Sequence, residues 1–206
     1  GTVTDFNGSS DFEHATATIY RSGAGAACTP DSNNCYVATT ENGQCTFTGC
    51  AGDSCTLSCE VDMFFNSDPT DVGTYIGQEW LAYAEVEDYS DGYDFASALG
   101  VELITLRALD VDSLINYGAL SPDSDTGSFN PTTTVTNLGN TPISIDIEGT
   151  ALTDSNTSSI SADQQKVATS TFTYGACVSC QQLATSSAVV LDLNLSKPST
   201  PVTPVD

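Results

Sequence analysis

Apolar side chains recur at every second residue through long stretches of this chain, and nowhere at helical spacing over comparable length. Alternation of that kind lets a pleated strand bury one face, whereas a helix needs its apolar positions three and four apart. From Cys55 to Phe65, the residues Cys55, Leu57, Cys59, Val61, Met63 and Phe65 fall on one side and Thr56, Ser58, Glu60 and Asp62 on the other. Trp80, Ala82, Ala84 and Val86 alternate in the same way with Leu81, Tyr83, Glu85 and Glu87. Ile143, Ile145 and Ile147 do so with Ser144, Asp146 and Glu148, and Val189, Leu191, Leu193 and Leu195 with Val190, Asp192, Asn194 and Ser196. Clusters of Gly, Asn, Asp and Pro interrupt these runs at turn-like intervals, as a sandwich requires. The expected fold class is therefore all-β, with two antiparallel β-sandwiches in tandem. A chain of 206 residues is long enough for two such cores. The expected division lies near Leu106 to Asp110, giving a disulfide-rich domain over 1–107, a second sandwich over 108–197, and an extended Pro/Thr-rich tail or linker over 198–206.

Charge narrows the partners. The formal net charge is -23, from 27 acids against only Lys166, Lys197, Arg21 and Arg107. Such a surface repels phosphate backbones and anionic lipid, so neither nucleic acid nor membrane insertion is expected. Eight cysteines point to an oxidising, extracellular or cell-surface setting. No apolar run reaches the roughly 20 residues of a membrane-spanning helix, and no leader precedes Gly1, so the chain reads as mature or excised material. Asn7, Asn156 and Asn194 each begin a glycosylation sequon, which fits a secreted surface.

The stretch Ile115 to Gly149 carries Gly118, Leu120, Pro122, Thr134, Val135, Thr136, Asn137, Gly139, Asn140 and Pro142 in a "G-x-L-x-P … T-x-T-V-T-N-x-G-N-x-P" arrangement. In this it resembles the immunoglobulin-like domains of secreted microbial surface and fibre proteins. The resemblance implies that the second sandwich is immunoglobulin-like and that the Asn-x-Gly-Asn piece passes one strand into the next; the first sandwich, which matches in the general style of repeated extracellular sandwiches, is expected to be immunoglobulin-like as well. It implies no catalytic residue. A longer polar insertion, Asp123 to Asn130, departs from the pattern.

Two ten-residue phrases, VTDFNGSSDF from Val3 and VEDYSDGYDF from Val86, match at several offsets. Asp5, Asn7 and Asp11 stand at the same spacing as Asp88, Ser90 and Asp94, with Glu13 and Asp91 close by. Calcium takes about six to eight oxygen ligands, and a glycine-containing loop lets carboxylates and carbonyls converge on it. These six residues are therefore candidate ligands of a structural calcium ion. The plainer reading makes Asn7-Gly8 and Asp91-Gly92 hairpin turns and returns each following Phe to the core.

All eight cysteines, Cys28, Cys35, Cys45, Cys50, Cys55, Cys59, Cys177 and Cys180, are expected in disulfides. Hairpin and turn geometry favours Cys28 with Cys35 and Cys177 with Cys180. The other four then tie Gln44 to Thr48 to the strand from Ser54 to Glu60. A four-cysteine zinc site is the alternative, but the spacing has no second Cys-x-x-Cys. Catalysis has little to draw on. His14 is the only histidine and sits beside the alternating run Ala15 to Tyr20, and no phosphate loop or dinucleotide fingerprint is present. The expectation is a non-enzymatic extracellular structural protein, a building block of a cell-surface layer, appendage or filament, self-associating by β-strand addition or binding other surface proteins. A calcium-dependent adhesin or carbohydrate-binding module of a larger secreted protein is the alternative, with the aromatic and acidic loop Tyr89 to Phe95 as its contact.

Overall fold

The computed structural model describes residues 1–155 and 158–202, with the backbone alone at Val190 and Asp192. Among these residues the chain is built from antiparallel strands and short 3-10 turns, with no α-helix. It forms two compact units: Gly1–Arg107 with Gly139–Thr141 and Pro198–Val202, and Ala108–Leu138 with Pro142–Lys197.

Seven strands make the first unit: β1 (Thr2–Thr4), β2 (Phe12–Arg21), β3 (Cys35–Thr39), β4 (Cys45–Ala51), β5 (Ser54–Cys59), β6 (Trp80–Asp88) and β7 (Tyr93–Ser97). They form a sheet of order β1-β5-β4 and another of order β3-β2-β6-β7. Alternation places Ala15, Ala17, Ala38, Ala84 and Val86 on one face of the larger sheet, and Val3, Cys45, Phe47, Leu57 and Cys59 on one face of the smaller. These faces share one core. Alanine at the facing positions leaves room for the larger Phe47 and Leu57, and the Phe12 ring stacks on Phe47 at 5.2 Å. Burying Leu57 alone stabilises this pairing by about 1.5–3 kcal/mol.

Beyond the reach of the smaller sheet, the same face continues into Tyr36, Arg21 and Trp80. A buried run, Asn66 to Thr70, covers it. Arg21 Nε donates to Asp68 Oδ2 at 3.0 Å with both side chains nearly buried. Its Nη1 donates to Gln78, and its guanidinium lies 3.8 Å from the centre of the Tyr75 ring. Trp80 Nε1 donates to the Asp68 carbonyl at 2.9 Å, and the Tyr36 and Ser67 hydroxyls meet at 2.6 Å. This plug explains why the expected strand from Cys55 to Phe65 ends at Cys59. The Phe64 N–H is taken by the Tyr36 hydroxyl at 3.1 Å, so the chain leaves the ladder to close the open end. Trp80, 3% exposed, packs in the core.

Asp71 anchors the segment after β7 by accepting the Thr105 N–H at 2.9 Å and its hydroxyl at 2.7 Å. Those bonds, the backbone one foremost, hold the Asp71 carboxyl below its usual range. Asn140, 3% exposed, clasps the same segment by accepting the Leu106 N–H at 2.6 Å and donating to the Ile104 carbonyl at 3.2 Å. The Asn-x-Gly-Asn piece thus contributes a buried amide clamp as well as a bend.

The second unit holds β8 (Leu109–Val111), β9 (Val135–Asn137), β10 (Ile143–Ile147), β11 (Leu152–Thr153), β12 (Ser159–Ile160), β13 (Lys166–Val167), β14 (Gln181–Gln182) and β15 (Val189–Leu195). They pair two by two, β8 with β9, β10 with β15, β11 with β12 and β13 with β14. Ile143, Ile145 and Ile147 stand opposite Leu195, Leu193 and Val189 across a register shift, and Asn137 donates to the Ser196 carbonyl at 3.2 Å. Ile145, Ala162 and Leu183 are buried there, while Leu109, Val111, Leu152 and Ile160 remain exposed. A groove of about 1540 Å³ runs between the ladders, lined in part by Tyr117, Phe129, Ile147 and Leu191.

Candidate functional site: an acidic cluster between two loops

The two repeated phrases meet. Asp11 directly precedes β2, Asp88 ends β6, and the register pairs Phe12 with Asp88. Antiparallel pairing of β2 with β6 therefore lays the second phrase against the first. The Tyr89 N–H donates to the Asp11 carbonyl at 2.9 Å, and Ser90 Oγ donates to Asp11 Oδ2 at 3.0 Å. Asn7 Nδ2 reaches the same carboxylate oxygen at 3.4 Å.

Each loop is shaped by its own leading aspartate. Asp5 Oδ1 accepts the Asn7 N–H at 2.8 Å, and the Gly8 N–H donates to the Asp5 carbonyl at 3.1 Å. Gly8 has φ of 110°, which favours glycine at that position. Asp88 Oδ1 accepts the N–H groups of Ser90 and Gly92, both at 2.8 Å, and Asp91 takes φ of 62°. Aspartate tolerates that left-handed conformation better than most residues.

Asp5, Asp11 and Asp88 each bring a carboxylate oxygen within 4.8 Å of the others. Asp5 Oδ2 is buried and accepts no hydrogen bond. Three carboxylates this close repel one another, and an oxygen-only set suits a hard cation. Asp94 does not join them. It lies on β7 opposite Val86, and its Oδ1 accepts the Phe95 N–H at 2.8 Å. The two phrases thus supply one cluster, not a pair of matching loops. Asp91-Gly92 does turn the β6–β7 hairpin, but Asn7-Gly8 does not turn a hairpin, because β1 and β2 lie in different sheets. Glu13 and Asp91 are exposed and outside the cluster.

Four disulfides take up every cysteine: Cys28–Cys35, Cys45–Cys59, Cys50–Cys55 and Cys177–Cys180. A four-cysteine zinc site is thereby excluded, since thiolate ligands need free sulfur. Cys45 and Cys59 are directly opposite on β4 and β5, and Cys50–Cys55 closes the end of that hairpin. Bridges of this number are the chemistry of an oxidising environment. Among the described residues no helix is long and apolar enough to cross a membrane.

His14 lies on β2, where its ring meets the hydroxyls of Thr16 at 2.8 Å and Thr40 at 3.2 Å and the carboxylate of Glu41. The Glu41 carboxyl is held below its usual range, first by its own backbone N–H and further by Thr39 and His14. The sequons at Asn7 and Asn194 are exposed, and the one at Asn156 lies outside the described residues.

Sequence reasoning paired the phrases by likeness but did not place them together, nor did it single out Arg21 and Asp68. The available signal was positional. One phrase opens into an alternating run and the other closes one, so an antiparallel pairing of those runs brings them side by side. Comparison of the chain with protein-family models, curated proteins and solved structures gives no match.

Proposed function

We propose that this chain is a non-enzymatic extracellular structural protein, two immunoglobulin-like sandwiches serving as a building block of a cell-surface layer, appendage or filament. The observation that carries this reading is a disulfide-stapled two-sheet body that leaves a whole strand, β7, exposed at the end of its sheet. Backbone groups at a sheet edge are a template for a further strand. The partners are other copies of the chain or other surface proteins. Electron microscopy of the purified chain in concentrated salt should show regular polymers. A discrete monomer under every salt and calcium condition would sink the proposal.

Within that role, calcium at Asp5, Asp11 and Asp88, with Asn7 and Ser90 as neighbouring oxygen donors, fixes the loops to each other. The buried, donorless Asp5 Oδ2 supports this. Calcium is expected to raise the melting temperature of the first unit, by the equivalent of about 2.7 kcal/mol at a hundredfold excess over its dissociation constant. The Asp88→Asn variant should lose that response, and an unchanged melt in the wild-type protein across calcium concentrations would rule the ion out.

The alternative, a calcium-dependent adhesin or carbohydrate-binding module, draws support from Tyr89, Tyr93 and Phe95, which are 66%, 71% and 59% exposed close to the cluster. Exposed aromatic faces suit sugar stacking. Glycan-array binding by a monomer, present with calcium and lost with a chelator, would favour this alternative.

A further inference from the structure

β7 pairs with β6 alone and ends the four-stranded sheet. The Ala98 N–H donates to the Ala82 carbonyl and the Asp88 N–H to the Gly92 carbonyl, at 2.8 and 3.0 Å. Those two bonds set the parity of the ladder. Gly92, Asp94, Ala96 and Ala98 turn their backbone groups toward β6, so Tyr93, Phe95 and Ser97 turn theirs outward. All five residues of β7 are exposed. The strand has no proline, no lysine and no bulge against β6, the usual guards of an edge. Its one guard is Asp94, whose carboxylate occupies the Phe95 N–H at 2.8 Å.

We propose that β7 is the contact through which two copies of this chain associate, the strands running antiparallel about a two-fold axis at Phe95. The inference rests on the self-assembly reading above and names the edge that would serve it. Register selects Phe95 as the centre. There, Phe95 faces Phe95 of the second copy and Tyr93 faces Ser97 of the second copy. All of these residues have outward backbone groups, so each opposed pair exchanges both of its N–H···O bonds. Asp94 then lies opposite Ala96 of the second copy. Centring on Asp94 instead sets carboxylate against carboxylate, and centring on Ala96 forfeits the Tyr93 pairing. The symmetric contact is self-complementary, as a two-fold interface must be, and it doubles the width of the sheet. On association the Phe95 N–H exchanges the Asp94 carboxylate for a backbone carbonyl.

Each copy carries a formal charge of -23, which opposes approach. Association should therefore strengthen with salt, as the screening length falls from about 10 Å at 0.1 M to about 3 Å at 1 M. The test is sedimentation equilibrium in concentrated sodium chloride, together with amide hydrogen exchange. The wild-type protein should sediment as pairs of chains or multiples of them, with the amides of Tyr93, Phe95 and Ser97 protected on association. Phe95→Lys opposes two ammonium groups at the axis and should weaken association on the order of tenfold or more. Its circular dichroism should stay unchanged, because the side chain is exposed. Asp94→Ala removes both the guard and a charge, and should tighten association. Undiminished pairing in Phe95→Lys, or a wild-type dimer whose three outward amides exchange freely, would overturn β7 as the contact and leave the assembly reading standing. A wild-type chain that stays single at all salt concentrations and forms no polymers would overturn both.

Discussion

Replacing Arg21 with methionine is expected to cost the first unit about 3–5 kcal/mol of unfolding free energy. The cost arises from what the substitution leaves behind. Asp68 stays in its buried position without the guanidinium that donates to it at 3.0 Å, and a desolvated carboxylate losing its counter-ion is far less stable than the intact pair. Methionine restores much of the volume, so the deficit is electrostatic more than steric. The Gln78 side chain and the Tyr75 ring lose their cation at the same time. Urea denaturation of the variant against wild type measures the effect. A loss below about 1 kcal/mol, the size of an exposed pair, would mean that the Asn66–Thr70 plug opens easily to water. Replacing Arg21 and Asp68 together with apolar residues of similar volume should recover much of the stability, since no buried charge then remains.

Removing the Cys45–Cys59 bridge by substituting both residues with alanine should destabilise the first unit by about 3 kcal/mol. The two cysteines are separated by 14 positions in sequence, the longest separation of the four bridges. In the chain-entropy account, closing a longer loop removes more freedom from the unfolded chain. Both sulfurs also belong to the core, packed with Leu57 and Ala15, so truncation adds a packing loss. The corresponding change at Cys177 and Cys180, separated by 3 positions, should cost less. Calorimetry resolves the two, because each kcal/mol moves the midpoint of a domain this size by about 4–8 °C. Equal effects at the two bridges would refute the loop-length argument.

Alternation made the all-β class legible, and it placed the runs that became β5, β6, β10 and β15. It works because a strand's side chains alternate regardless of what the strand later meets. The same regularity overran at Cys55 to Phe65, where Met63 keeps the pattern but is 40% exposed. Local spacing does not say how long a neighbouring sheet will be. Beyond Cys59 a buried Tyr36 hydroxyl draws the backbone away from the ladder.

The candidate site divides along the same line. Residue types and offsets nominated Asp5, Asn7, Asp11, Asp88 and Ser90, because oxygen donors on a glycine-containing loop are a property of composition and turn chemistry. Offsets nominated Asp94 as well, yet its backbone is committed to a strand and its carboxylate to the next N–H. Which carboxylates converge depends on the register between β2 and β6, which sets Phe12 opposite Asp88, more than seventy residues further along the chain. Burial of Arg21 against Asp68 is equally remote from any local pattern. Composition and alternation thus settled the all-β class and the stock of oxygen and sulfur donors. Long-range strand pairing alone chose the partners, because the energy that selects a contact comes from surfaces brought together only when the sheets close.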